Sequence, residues 1–444
     1  MATPAPLSSA PDPSDIELIA ARPHLARHAM DGLLMDGVPL NAIADALGTP
    51  TWVYSAPFMR ARLAELTQAL AGLNTHIHYA VKANDHLAVL RLMHEGGAGA
   101  DVVSGGELMR ARAAGIPADH IVFSGVGKSA EEIRLALAEG IYQINAESPA
   151  ELETISAIAS AMGRVADIVL RINPDVDAGT HAKITTGKAY NKFGISYGDA
   201  AALYAHAATL PGIRPQGLAL HIGSQILNMA PYRAAFARAA ELIRTIRANG
   251  QTVTRMDCGG GLGIGYGDEP AANPAAFAGA IRAVFAAMDL TLMVEPGRWL
   301  VGPAGVLLAS VTLTKGDERF MVLDAAMNDL VRPAMYDAWH GIVPLAPGNA
   351  GPERDIDIVG PVCETGDTFA RARRMVPVAA GGRVAILDAG AYGAVMSSTY
   401  NSRPFAAIAM IDQGRWAVIR PRQPVEALWS AETIPDFEPV AFAP

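Results

Sequence analysis

The sequence predicts an α/β protein in which a (β/α)8 TIM barrel is followed by a C-terminal all-β domain. Three observations support this prediction. The chain has 444 residues, which is too long for one ordinary hydrophobic core. Eight short apolar strands alternate with helix-length amphipathic segments up to about residue 300, and eight βα units are the number that closes a barrel. Beyond that point, short alternating strands separated by Gly and Pro replace the helices.

The barrel strands are predicted from their apolar runs and from the turn residues that follow them. In chain order they lie in YAVKAN, ADVVS, IVFSG, YQINAES, DIVLRIN, GLALHIG, RMDCGGG and LMVEPG. The longest gap, residues 173–216, contains a polar, Gly-rich loop, and a loop of that length in a compact domain is usually functional or disordered. After the barrel, two alternating strands flank the turn KGDER, and further short strands lie in DIDIVG, RVAILDAG and WAVIRPR.

Four regions follow from this pattern. Residues 1–29 are rich in Pro, Ser and Ala and are predicted to form a flexible N-terminal tail. Residues 30–50 contain a small hairpin and a short helix that we expect to pack with the β domain. The barrel is predicted over residues 51–300 and the β domain over residues 301–444.

The composition excludes several kinds of protein. The net charge of −9 and the lack of a basic run argue against a nucleic-acid partner. The N-terminus has no apolar signal core. The sequence also contains no run of about 18 apolar residues, so we expect no membrane partner. The two cysteines, Cys258 and Cys363, form no disulfide or metal framework, so we expect a reducing cytoplasm and no bound metal.

The chemically distinctive residues fall at the carboxyl ends of the predicted strands, which form the active face of a TIM barrel. These ends carry Lys82, Arg171, His221, the run Gly259–Gly261 and Glu295. Each has an ordinary explanation. Lys82 alone supports a Schiff-base lysine and a solvent-directed lysine equally. A single strand histidine is more often a core residue, and glycine runs and EPG occur in many turns. The combination favours a site.

Pyridoxal phosphate is a ligand for which each of these residues has a physical role. Lys82 supplies an amine, His221 a flat ring that can stack on the cofactor, and Glu295 a carboxylate that keeps a pyridine nitrogen protonated. The remaining groups suit a phosphate or carboxylate. They are the backbone N–H groups of the run that includes Gly260 and Gly261, the Ser224 hydroxyl and the Arg298 cation.

Longer motifs identify a family. YAVKAN, HIGSQ, CGGGLG, EPGR, CETGD and DAGAYG resemble, in order and spacing, the fold-type III pyridoxal-phosphate decarboxylases, which have an alanine racemase-like barrel and β domain. The resemblance extends from about residue 30 to the end and also includes ADVVSGGEL, FSGVGK and DAAMNDLVRPAMYDAWH. The residue in CETGD that follows Glu364 is threonine, where serine is the commoner choice in the family.

The resemblance implies further roles. Lys82 matches the lysine that bonds the cofactor, and His221 matches the stacking histidine. The other cofactor contacts that it implies are Ser224, Gly260, Gly261, Glu295, Gly297, Arg298 and Tyr392. Cys363 matches a cysteine that protonates the substrate carbon after carbon dioxide leaves.

The resemblance also implies the substrate site and the assembly. Arg298, Arg332, Tyr336 and Glu364 match residues that bind the far end of an amino-acid substrate, and Tyr392 contacts substrate as well as phosphate. Two arginines and a carboxylate suit a far end that carries both a carboxylate and an ammonium group. In this family the CETGD loop of a second chain completes the site, which implies a homodimer.

Four alternatives stay open at this point. The same fold and cofactor could decarboxylate ornithine, lysine, arginine or carboxynorspermidine. An amino-acid racemase shares the lysine and both domains but has no use for CETGD. A non-catalytic pyridoxal-phosphate carrier resembles only the barrel. A sugar-phosphate enzyme would share the barrel and need no Schiff base.

Overall fold

The computed structural model describes residues 12–177, 193–267, 269–348 and 351–437. Most of the Gly-rich loop predicted between residues 173 and 195 therefore lies outside the described residues. No helix in the described part of the chain is long and apolar enough to cross a membrane.

The N-terminal segment is structured from the first described residues, in contrast to the flexible tail predicted through residue 29. Ser14 and Glu17 form a capping box that starts the first helix, and that helix buries Leu18 and Ile19. The motif Ser14-x-x-Glu17 is the signal that the Pro- and Ser-rich composition obscured. The elements of this region are α1 (Asp15–Ala20), β1 (Leu25–His28), β2 (Gly32–Met35), β3 (Val38–Pro39), α2 (Leu40–Leu47) and β4 (Thr51–Ser55).

The first three strands form one small antiparallel sheet rather than a single hairpin. Its apolar side chains join a core with the C-terminal domain. Leu33 and Met35 are fully buried there together with Val306 and Leu387. Arg22 is also buried, and its guanidinium forms a salt bridge with Asp388.

A closed ring of eight parallel strands forms the barrel, as the sequence predicts. Three of its strands are buried along their whole length, as expected for strands covered on both faces. The strands are β5 (Thr75–Ala80), β6 (Gly99–Val102), β7 (Ile121–Phe123), β8 (Gln143–Ala146), β9 (Ala166–Asn173), β11 (Ile213–Leu220), β12 (Arg255–Asp257) and β13 (Thr291–Val294), and the short β10 (Ile195–Ser196) pairs outside the ring with β9.

Helices return the chain between these strands, and serine side chains cap several of them. Ser104, Ser129 and Ser148 each accept a hydrogen bond from the backbone N–H three residues later, where the chain turns from strand to helix. The helices are α3 (Ala56–Ala69), α4 (Leu87–Glu95), α5 (Gly105–Ala113), α6 (Ala130–Glu139), α7 (Pro149–Ala161), α8 (Ala200–Ala207), α9 (Ala230–Ala248), α10 (Pro274–Phe285) and α11 (Arg298–Val301).

The C-terminal domain is built on a second, mainly antiparallel sheet. Its elements are β14 (Gly305–Lys315), β15 (Phe320–Leu323), α12 (Arg332–Tyr336), β16 (Ile342–Pro344), β17 (Arg354–Val359), β18 (Thr368–Met375), β19 (Arg383–Ile386), β20 (Ala407–Asp412) and β21 (Arg415–Arg420). The fully buried strand β4 inserts between β14 and β20. Thr51–Ser55 is therefore part of this sheet and not the start of the barrel, which corrects the predicted boundary at residue 51.

Candidate active site

Lys82 lies just beyond β5, in a 3-10 turn over Val81–Ala83 at the carboxyl end of the barrel. Its Nζ is 2.7 Å from Oδ2 of Asp101, a fully buried carboxylate in β6. Burial alone would lower the pKa of the lysine, but the Asp101 and Glu295 carboxylates outweigh it and hold that pKa above its usual value. Lys82 is therefore an ammonium ion held in place by an ion pair.

Glu295 lies just beyond β13 and is also buried. Ser124 donates a hydrogen bond to its Oε1 across 3.2 Å, and the Nδ1 atom of His221 is 4.0 Å from its Oε2. Burial and the nearby Arg171 and Lys82 cations lower the pKa of His221 well below its usual value. The His221 ring is therefore neutral.

Three glycines allow the strand ends to approach one another closely. A Cβ atom on Gly260 would lie 1.9 Å from the carbonyl oxygen of Glu295. Gly261 has φ +99°, and a Cβ there would lie 2.3 Å from the carbonyl oxygen of Gly223. A Cβ on Gly297 would lie 3.0 Å from the Cβ of Ala83, in the turn that carries Lys82.

Arg298 is buried beside the loop that contains Gly260 and Gly261, and it contacts three other residues at the carboxyl end of the barrel, which we call the barrel mouth. Its Nη1 donates to the Tyr266 hydroxyl at 2.5 Å and its Nη2 to the Ser224 hydroxyl at 3.1 Å. Its guanidinium carbon lies 4.7 Å from the centre of the Tyr392 ring. Tyr392 in turn donates its backbone N–H to Ala83 at 2.8 Å, which ties the C-terminal domain to the lysine turn.

Arg332 begins α12 and brings a second guanidinium to the same place. Its guanidinium carbon lies over the Tyr266 ring, 5.1 Å from the ring centre. Its Nε donates to Nε2 of His340 at 3.3 Å. Tyr336, at the end of α12, is half-buried and close enough to interact electrostatically with both Arg298 and Arg332. The structure thus brings together the predicted residues Arg298, Arg332, Tyr336 and Tyr392.

The CETGD loop has different neighbours. Asp367 organises it by accepting backbone N–H groups from Val362 and Met327, each at 2.7 Å. Cys363 and Glu364 are both exposed, and Glu364 accepts a hydrogen bond from the Tyr400 hydroxyl. Within residues 12–177, 193–267, 269–348 and 351–437, no hydrogen bond or ion pair joins Cys363 or Glu364 to Lys82 or to the two arginines.

Sequence reasoning missed several residues of the mouth. Asp101 had a signal, because it is a carboxylate inside an otherwise apolar strand, whereas Asp257 precedes a glycine run and is explained locally as a turn residue. Tyr266 and His340 lie in irregular segments, where no periodicity distinguishes them.

The described residues fit pyridoxal phosphate by two tests. The buried Glu295 carboxyl group is surrounded by Asp101, Asp257 and the Lys82 ammonium ion, so a ring nitrogen that carries a proton would find an anionic partner there. Next to the glycine loop, the buried Nε of Arg298 has no hydrogen-bond partner among the described residues. A buried cationic donor of this kind suits a phosphate or carboxylate oxygen.

Fold and site together define a pyridoxal-type enzyme with a barrel and a β domain. The family described as "Pyridoxal-dependent decarboxylase, pyridoxal binding domain" matches residues 58–302. A diaminopimelate decarboxylase from Zymomonas mobilis is 47% identical over 407 residues, which cover 90% of this chain and 96% of the relative.

Solved structures agree with this class. Diaminopimelate decarboxylase from Helicobacter pylori, complexed with L-lysine, matches with a TM-score of 0.86 and 38% identity, over 88% of this chain and 98% of that one. Diaminopimelate decarboxylase from M. jannaschii, in co-complex with L-lysine, matches with a TM-score of 0.88 and 32% identity, over 94% of this chain and 99% of that one. The chain belongs to the diaminopimelate decarboxylase family.

Proposed function

We propose that this chain decarboxylates meso-2,6-diaminopimelate to L-lysine and carbon dioxide with pyridoxal 5'-phosphate, the last step of lysine biosynthesis. The observation that carries the proposal is the pair of buried guanidinium groups, Arg298 and Arg332, which both contact Tyr266. The relatives named above support the same activity.

The chain's own residues hold and tune the cofactor. Bound pyridoxal phosphate supplies an electron-accepting ring for the pair of electrons left when the carboxylate departs. Lys82 would be the amine that bonds it, and its ion pair with Asp101 fixes the position of Nζ. Glu295 would hold the ring nitrogen, and the neutral His221 ring would pack against the cofactor ring.

We assign the phosphate to the group of donors around the glycine loop. Arg298 and Ser224 are already joined there by a hydrogen bond, and the glycines leave backbone N–H groups uncovered. The residues assigned to this end of the cofactor are Ser224, Gly260, Gly261, Gly297, Arg298 and Tyr392.

Substrate recognition follows from charge. The far end of diaminopimelate carries a carboxylate and an ammonium group, and Arg298 and Arg332 provide cations for the first while Glu364 provides an anion for the second. Tyr336 and Tyr392 border the arginines. Ornithine has no carboxylate at that end, so both arginines would stay unpaired against it at a substantial cost.

We propose that the working enzyme is a homodimer in which Cys363 and Glu364 of one chain complete the site of the other. Both residues are exposed, and in the described residues their contact is with Tyr400 and not with the mouth. From a second chain, the Cys363 thiol would deliver a proton to the substrate carbon and Glu364 would meet the far ammonium group. A cytoplasmic location stays a prediction based on the two free cysteines.

Mixing two inactive variants tests the shared site. Lys82→Ala removes the amine and Cys363→Ala removes the proton donor, so each should be nearly inactive alone, while Cys363→Ala keeps the visible cofactor band. After equal amounts are mixed and allowed to exchange subunits, half of the dimers carry one intact site, and about a quarter of wild-type activity should return. Each variant mixed with itself is the control. No recovery despite proven exchange would place Lys82 and Cys363 of one site in the same chain.

A further inference from the structure

A buried polar network lies behind Glu295, inside the barrel. Asn145 donates through its Nδ2 to Asp257 Oδ2 at 3.2 Å and reaches Glu295 Oε1 at 3.5 Å. Ser124 donates to the same Glu295 oxygen, and Gln143 fixes Asn145 by donating to its Oδ1 at 2.8 Å. Asp257 is fully buried, and its other oxygen accepts the backbone N–H of Gly259 at 3.0 Å.

This arrangement brings two buried carboxyl groups to one amide, because Asn145 Nδ2 lies 3.2 Å from Asp257 Oδ2 and 3.5 Å from Glu295 Oε1. Two ionised carboxylates so placed repel each other in a buried site, whereas one proton held by the pair relieves that repulsion. Burial first, and then the Asp101 and Asp257 carboxylates, raise the pKa of Glu295 well above its usual value. Burial likewise raises the pKa of Asp257.

The charged groups that face Glu295 come from every neighbouring strand end. Asp101 approaches from β6, Lys82 from the turn after β5, His221 from the end of β11 and Asp257 from β12. Lys82 is the one cation that lowers the proton affinity of Glu295 in this set, and it is already paired with Asp101. Among the carboxyl groups of the described residues, Asp257 is the one that shares the Asn145 amide with Glu295.

We propose that Asp257 is a positioning residue that shares one proton with Glu295, and that Glu295 supplies this proton to the ring nitrogen of the cofactor. The inference rests on the proposed function, because it concerns how the chain receives pyridoxal phosphate. In the step, the O–H bond of Glu295 breaks, its electron pair stays on the carboxylate, and an N–H bond forms at the ring nitrogen. The total number of protons on the enzyme and cofactor is unchanged, and Asn145 and Ser124 donate to the carboxylates that remain.

Proton uptake during cofactor binding tests this directly. The full-length chain, stripped of cofactor, is titrated calorimetrically with pyridoxal phosphate in buffers of different ionisation enthalpy. The pH is one at which the free cofactor has no proton on its ring nitrogen. In Asp257→Asn, Glu295 loses the neighbour that raises its proton affinity, so the ring nitrogen must take a proton from solvent, and uptake should exceed wild type by about half to one proton per site.

Asp167→Asn is the matched control, because Asp167 lies at the opposite end of the barrel, in an ion pair with Arg255. It should leave proton uptake at the wild-type value. Equal uptake by wild type and Asp257→Asn would overturn the inference. If the wild-type chain bound no pyridoxal phosphate, the proposed function would fail, so the two failures are distinguishable.

A second measurement covers the case in which Asp257→Asn does not fold. A group with a raised pKa makes the folded state bind more protons than the unfolded state, so stability falls as pH rises above the unfolded value of about 4.3. The contribution of Glu295 to the stability of the cofactor-free chain should therefore fall with rising pH, opposite in sign to the contribution of a histidine with a lowered pKa, and Glu295→Gln, which mimics the protonated acid, should remove it. A Glu295→Gln variant with the wild-type pH dependence would contradict a shared proton.

Discussion

His340 offers the sharpest single-residue test of the substrate pocket, because each of its ring nitrogens has one partner. Nδ1 is 2.8 Å from the backbone oxygen of Leu387 and donates to it, which leaves Nε2 to accept from Arg332. Burial, followed by the nearby Arg332 charge, lowers the pKa of His340 to about 3, so the ring stays neutral and keeps this arrangement at physiological pH. His340→Asn preserves the donor to Leu387 and removes the acceptor for Arg332, whereas His340→Gln does the reverse.

The expected effect follows from the bond that is lost. Hydrogen bonds to charged groups contribute about 1.5–3 kcal/mol. The distance between Arg332 Nε and His340 Nε2, 3.3 Å, is at the long end of the usual range for hydrogen bonds, so we expect a contribution near 1.5 kcal/mol. Since about 1.4 kcal/mol corresponds to a factor of ten, His340→Asn should raise KM for diaminopimelate about tenfold. The value of kcat should change little, because Arg332 binds the far end of the substrate and not the reacting carbon.

Steady-state kinetics, together with the visible spectrum of the bound cofactor, measure this effect. His340→Gln should have a KM near that of wild type, and both variants should keep the cofactor band. If KM stayed within twofold of wild type in His340→Asn, or rose equally in both variants, His340 would not position Arg332.

Three further predictions concern the lysine, the N-terminal segment and acid stability. Lys82→Ala should lose the visible cofactor band and activity together, and a retained band after dialysis would contradict its role. Arg22→Ala leaves Asp388 buried without its partner and should cost about 3–5 kcal/mol of unfolding free energy in urea titrations. Arg91→Ala, which breaks an exposed pair, should cost less than about 0.5 kcal/mol. Burial lowers the pKa of His78 to about 3, whereas the pKa of this histidine in the unfolded chain is near 6.5. Between these values the unfolded state binds more protons than the folded state, so stability is lost as pH falls. Between pH 7.5 and 5 this loss is about 2 kcal/mol, and it should be absent in His78→Leu.

The parts of the fold that could be predicted are those with a local signal. The strand β7, for example, is a short apolar run because both of its faces are buried, and Lys82, His221 and Glu295 are conspicuous because they follow apolar residues at strand ends. The place of β4 could not be predicted, because an apolar five-residue strand suits either sheet. Its partners, β14 and β20, lie more than 200 residues later in the chain.

The parts of the site that could not be predicted depend on tertiary contacts. Arg22 and Asp388 are 366 residues apart, and neither has a local pattern that indicates a buried pair. Asp257 precedes a glycine run and is explained locally as a turn residue, although Asn145 links its carboxyl group to Glu295 at the end of a different strand. His340 is significant only because α12 brings Arg332 to it.

The most direct test of the proposed function is a product assay on the purified chain with added pyridoxal phosphate. Meso-diaminopimelate, ornithine, lysine and arginine are supplied separately, and carbon dioxide and the amine product are measured for each. We expect lysine and carbon dioxide from diaminopimelate and no turnover of the other three, because only diaminopimelate presents a far carboxylate to Arg298 and Arg332. Turnover of ornithine or lysine in place of diaminopimelate would contradict the assigned substrate pocket, and no turnover of any of the four would contradict the decarboxylase itself.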